Sequence, residues 1–150
     1  MDFRVLEQVL NDDDLSAAFE AASEEFDTDR VDVAIDIEGF DEPLVLQITQ
    51  IEVESDDEQE FEMIQIFVPI PLELKEEAVD EIVGVLPDIN QQVPLIGFNV
   101  DIVDIEERFV YFRHVMLAPE GETGAQLVTE AVWLSQYAVD TFALQFLEFA

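Results

Sequence analysis

The 150-residue chain has no cysteine, one histidine, five glycines and a single lysine, Lys75. Without cysteine it can form no disulfide, iron–sulfur centre, thiolate zinc site or thiol nucleophile. One histidine rules out a two-histidine metal site and the H-E-x-x-H helix of metalloproteases. The few glycines form no phosphate-cradling loop, so nucleotide binding through either common glycine motif is not expected. Apolar runs fall short of the ~18 residues a membrane span needs. The opening Met1-Asp2-Phe3-Arg4 does not read as a signal peptide, so the expectation is a cytoplasmic chain.

Cations are scarce as well. Five basic side chains face 37 acidic ones, for a formal charge of -32. Phosphate contacts need Lys and Arg, so nucleic acid and anionic membrane surfaces are opposed as partners. A basic partner protein is the natural counter-charge, although a solvated, self-repelling surface explains acidity alone. What is abundant is apolar: 49% hydrophobic residues with 12 phenylalanines, far too much for a disordered acidic tail. A chain of this length buries roughly 70% of its unfolded surface when it folds as one domain.

Hydrophobic spacing then sets the expected elements. Phe3, Leu6, Val9 and Leu10 have helical spacing, and an aspartate from Asp12-Asp13-Asp14 can cap a second helix using Leu15, Ala18, Phe19, Ala22 and Phe26. The period changes to two at Val31, Val33, Ile35 and Ile37, a half-buried strand. Leu44, Leu46 and Ile48 continue as a strand, but the apolar parity switches near Thr49-Gln50 to Ile51, which predicts a bulge or a break. After the acidic residues 54–60, residues 61–71 are apolar on both parities, as in a central strand covered on both faces. Residues 73–92 read as a helix in which Pro87 should introduce a kink or begin a separate short turn. Ile96 to Ile102 alternates, 109–117 is again apolar on both parities, and 126–149 is a final helix. The expectation is one domain, 1–150, in the order α-β-β-β-α-β-β-α. That is the α+β class, an antiparallel sheet with helices packed on it.

The final helix says most about function. On a wheel of about 100° per residue, Val128, Val132, Val139, Phe142 and Phe146 share a core arc. Trp133, Tyr137 and Leu144 fall among Glu130, Asp140 and Glu148 on the opposite side. Such a line of large groups needs a cover, supplied either by a partner or by the N-terminal helix of the same chain. Phe112 and Met116, on the strand before it, are candidates for the sheet's share of the same surface.

Chemistry-bearing patterns are sparse. His114 lies in a dense strand with no serine near it in a G-x-S-x-G turn, and reads as a locally satisfied strand residue. Asp27-Thr28-Asp29-Arg30-Val31-Asp32 starts like a calcium loop but has valine where an oxygen ligand belongs and aspartate where glycine belongs. No metal and no cofactor is expected. Arg113, mid-strand, predicts a cross-strand ion pair, with Asp101 as the candidate.

Asn90 near a helix end, Gly97-Phe98 opening a strand, Phe109-Val110-Tyr111-Phe112-Arg113 after an acidic turn, and Val139-Asp140 within a long helix together resemble the YbjN family. The resemblance spans about residues 12 to 149 and is a pattern of apolar positions without a catalytic motif. It implies an arrangement like that of type III secretion chaperones and a dimeric, non-enzymatic protein that binds other proteins in a sensory or regulatory role. It also implies dimerisation through the helix at 73–92.

Two functional expectations follow. The first is a dimeric protein-binding module, chaperone-like or regulatory, holding a partner polypeptide on Trp133, Tyr137, Leu144, Phe112 and Met116. The second is a nucleic-acid mimic, in which Asp32, Asp36 and Glu38 present carboxylates at about 7 Å intervals, near a phosphate repeat, to a basic DNA-binding protein. An enzyme using carboxylates or a divalent ion lacks any recognisable constellation.

Overall fold

The structure is a computed structural model that describes residues 1–52, 61–92, 98–102 and 108–149, with the backbone alone at 98–102, 108 and 149. Residues 53–60, which hold the acidic run at 54–60, and residues 93–97, 103–107 and 150 lie outside the described residues. Helix α1 is Phe3–Asp12, followed by strands β1 (Ser16–Glu20), β2 (Arg30–Ile35), β3 (Leu44–Ile51) and β4 (Phe61–Pro69). Helix α2 (Val79–Asn90) leads to β5 (Phe98–Ile102) and β6 (Arg108–Pro119), and α3 (Glu122–Phe146) closes the chain before a short 3-10 turn, Leu147–Phe149. All strand pairs are antiparallel, in one six-stranded sheet of order β1-β2-β3-β4-β6-β5. The α+β class expected from periodicity is the class observed.

One element differs from expectation. The residues read as a second helix start with strand β1. Leu15, Ala17 and Phe19 alternate with Ser16, Ala18 and Glu20, so period two fits this stretch as well as period 3.6. Pairing with β2 decides between them, as Ala17 lies opposite Val33 and Phe19 opposite Val31. Asp14, at φ 64°, turns the chain back immediately after α1. The helical spacing was real but local, and tertiary pairing overrode it.

The expected bulge near Thr49 is also absent. β3 keeps an unbroken register with β2 through Thr49 and with β4 through Ile51. The parity switch has another cause: Leu44, Leu46 and Ile48 face the core, whereas Ile51 faces the other side of the sheet.

Val31, Val33, Ile48, Ile64, Ile66, Val68, Val110 and Phe112 point to one face and are sealed there. They share a single apolar core with Phe3, Leu6 and Leu10 of α1, Ile82, Leu86 and Ile89 of α2, and the buried arc of α3. Each fully buried aliphatic or aromatic side chain contributes about 1.5–3 kcal/mol relative to exposure, which makes this face the source of the fold's stability. Thr129 and Ser135, buried on α3, return their hydroxyls to the carbonyls of Ala125 and Ala131 at 2.8 and 2.7 Å. Gly124 lets α3 turn back tightly onto β6, because a Cβ there would sit 1.7 Å from the Pro119 carbonyl oxygen. α2 runs through Pro87 to Asn90. The opposite face of the sheet carries no described helix, so β4 and β6, expected to be covered on both faces, are covered by helices on one.

Candidate functional site

α3 lies on the sheet with its buried arc inward, which leaves the expected stripe outward. Trp133 is 42% exposed and Tyr137 63% exposed, with Leu144 beyond them on the same side. Leu127 and Leu134 extend the stripe. Both were missed in the sequence because their arc borders the core arc, and only the docking angle of the helix shows that they stay outside. Glu130, Asp140 and Glu148 edge this apolar strip with negative charge.

The N-terminal helix reaches the indole through a hydrogen bond. Trp133 Nε1 donates to Asp13 Oδ2 at 2.6 Å, at the C-terminal end of α1. This charge-assisted bond ties the indole to the end of α1 while the residue as a whole stays part exposed. Beside it, Val9, Asp12, Asp13, Gln126, Thr129 and Glu130 line a cleft of about 360 Å³. An apolar stripe is thereby joined to a carboxylate-lined hollow through Asp13. At the other end, Leu144 packs over the turn at Gly39, where a Cβ would stand 2.2 Å from Leu144 Cδ2.

The two sheet candidates do not join this surface. Phe112 is fully buried, on the core face opposite Val68, and has no surface to offer a partner. Met116 shares that parity and is partly buried against the core. The expectation is corrected by one residue of register, since side chains alternate between faces. The outward residues of β6 are Tyr111, Arg113, Val115 and Leu117. The sequence signal for them was the double parity of β4 and β6, which was read as cover by the chain's own layers.

Arg113 is exposed, and its Nε donates to Gln65 Oε1 at 2.8 Å on β4. The side chain of Asp101, the expected partner, lies outside the described residues, and the backbone register sets Asp101 opposite Phe109. Arg30 bonds both oxygens of Asp32, at 3.0 and 3.2 Å, and lies 3.9 Å from the Phe26 ring centre. That pairing bears on the mimic reading. Asp32 is the only one of its three carboxylates within β2, which ends at Ile35, and its charge is met by Arg30. The interval from Asp32 to Asp36 is also two side-chain repeats, about 13 Å if extended, so no even array forms on this strand.

His114 faces the core side between Phe112 and Met116, opposite Ile66. Its Nδ1 is buried without a hydrogen-bond partner, and burial lowers its pKa from the usual 6.5. The local satisfaction expected for this histidine is therefore missing at Nδ1. Among the described residues no group of three or more His, Asp or Glu side chains converges as a metal site. No helix among them is long and apolar enough to cross a membrane. The sequence matches no protein-family model, and no curated protein matches it.

Proposed function

We propose that this chain is a non-enzymatic protein-binding module whose α3 stripe receives an amphipathic partner segment with apolar side chains flanked by Lys or Arg. The observation that carries this reading is the exposure of Trp133 and Tyr137, 42% and 63%, on a helix whose other face is sealed. Large aromatic groups left wet in this way belong to interface centres more often than to inert surfaces. Charge selects the partner. Glu130, Asp140 and the hollow lined by Asp12 and Asp13 attract a basic flank and repel an acidic one. The cleft beside Asp13 has room for a Lys or Arg side chain.

The test uses a synthetic amphipathic peptide of leucine and lysine and its leucine–glutamate twin, with calorimetric titration of the full chain. The lysine peptide binds and the glutamate peptide does not. Trp133→Ala and Tyr137→Ala each weaken binding about tenfold or more, the usual loss at an interface anchor. Binding that persists unchanged in both variants, or that disappears in ~0.5 M NaCl, would be diffuse charge attraction and would remove the site.

A further inference from the structure

The outward positions of β3, β4 and β6 carry no carboxylate, in a chain with 37 acids. Ile51, Met63 and Leu117 form one cross-strand row, and Thr49, Gln65 and Val115 the next. Gln47, Phe67 and Arg113 form a third. Leu117 is 61% exposed, and Phe67 stacks obliquely on Tyr111 with ring centres 5.2 Å apart. A strand with one wet face normally alternates, as β2 does with Asp32 and Ala34 outward between Val31, Val33 and Ile35. β4 and β6 depart from that alternation within the same sheet. Their outward residues are built for cover that the described helices do not give.

We infer that a second copy of this chain covers this face, packing sheet against sheet about a two-fold axis. Charge identifies the occupant. Two chains of charge -32 repel wherever acidic surfaces meet, and this face lets them touch without apposing carboxylates. The register adds a complementary pair. The third row continues across β2, so Asp32, Gln47, Phe67 and Arg113 lie in line. A two-fold axis between the sheets and parallel to the strands reverses this row end for end. Arg113 of each copy then lies over Asp32 of the other, whose carboxylate is already bonded by Arg30 Nε and has lone pairs left to accept a second guanidinium. Packed sheets stand about 10 Å apart, a gap that an arginine and an aspartate together span. Among the described residues Arg113 bonds Gln65 through Nε and pairs with no carboxylate. Four strands at ~4.8 Å and eight residues at ~3.4 Å give a footprint of about 500 Å² in projection. With side-chain relief, that approaches the lower range of stable interfaces, ~600 Å² per partner.

This inference deepens the protein-binding reading by naming one partner, yet it uses a face opposite the α3 stripe. It differs from dimerisation through α2, where Val83 and Val85 are exposed.

The experiment is sedimentation equilibrium of the full chain at ~0.05 and ~0.5 M NaCl. The expected mass is twice 17.1 kDa, and the dimer tightens as salt rises, opposite to the binding of a basic partner. Leu117→Glu raises the dissociation constant about 100-fold or more by burying a charge in an apolar contact. Val83→Glu and Tyr137→Ala leave it within about threefold, having no place in this contact. Cooperative melting shows that each variant is folded. Should Leu117→Glu fail that control, Arg113→Asp decides instead, since its side chain is exposed, and it weakens the dimer about tenfold. A chain still monomeric at ~100 µM in high salt overturns the inference. So does a dimer broken by Val83→Glu but not by the sheet-face variants. Loss of peptide binding in Tyr137→Ala with the dimer intact shows the two surfaces to be separate, so either proposal can fail alone.

Discussion

The side chain of Asn11 grips both backbone groups of Ala17: its Nδ2 donates to the Ala17 carbonyl at 3.0 Å and its Oδ1 accepts the Ala17 amide at 2.8 Å. One turn earlier on α1, Glu7 accepts the amide of Phe19. β1 is an edge of the sheet, and these are groups that a neighbouring strand would otherwise engage. Two side chains of α1 stand where a seventh strand would pair, so partner recognition by strand addition is closed along this edge. Asn11→Leu should cost about 1–2 kcal/mol, from two lost hydrogen bonds at an exposed site, and should free the edge. Chemical denaturation measures the first effect. Thioflavin-binding aggregation at elevated protein concentration measures the second. A variant as stable and as soluble as the parent would show that the edge needs no guard.

Gly39 and Leu144 are coupled in the same tight way. Gly39 has φ +93°, and Leu144 Cδ2 occupies the place of its missing Cβ. Gly39→Ala should destabilise the chain by about 1–3 kcal/mol, combining left-handed backbone strain with displacement of a leucine. Adding Leu144→Ala should recover the steric part but not the strain. Thermal melting of the two single variants and the double variant gives the coupling. Strict additivity would mean that the helix end and the turn do not share this contact.

Sequence periodicity made the sheet and the long helix legible because their patterns are long and mutually consistent. Val31 to Ile37 could hardly be anything but a half-buried strand, and the Val128 to Phe146 arc could only lie on a core. Ser16 to Glu20 was not legible, since five residues satisfy either period and only β2 decides. Trp133 and Tyr137 were found because they interrupt a polar arc. Phe112 was misplaced because a strand apolar on both parities gives no clue to which parity faces inward. The same ambiguity concealed Leu117 and Val115. The switch at Thr49 was a true signal that was read as a backbone defect, whereas it marks where the open face becomes apolar.

Salt should stabilise this protein. With 37 acids and five bases, one-to-one pairing would leave a net charge of -32 uncompensated, and screening relieves that repulsion. The melting temperature should rise between low salt and ~0.5 M NaCl, with most of the gain complete once the Debye length falls below ~5 Å. Replacing Arg30, which is held by Asp32 and the Phe26 ring, with glutamine should lower stability more at low salt than at high salt. A melting temperature that declines with salt would place the dominant electrostatics in ion pairs rather than in repulsion.

Acidification should weaken the fold through His114 before most carboxylates take up protons. Burial against the core face holds its pKa below 6.5, and Nδ1 has no partner to welcome a proton. The unfolded chain, with its histidine near 6.5, therefore binds this proton first as the pH falls. Stability that is complete above about pH 6.5 is lost as the pH drops toward the lower folded-state value, below which both states are protonated. His114→Gln removes the titration while keeping a polar side chain of similar reach. The difference in melting temperature, parent minus variant, should be greater at pH 7.5 than at pH 5.5. Because the carboxylates are common to both chains, their own titration cancels in that difference. A difference independent of pH would mean that the imidazole is as well solvated in the folded chain as in the unfolded one. A difference growing toward acid would mean that it finds a carboxylate there.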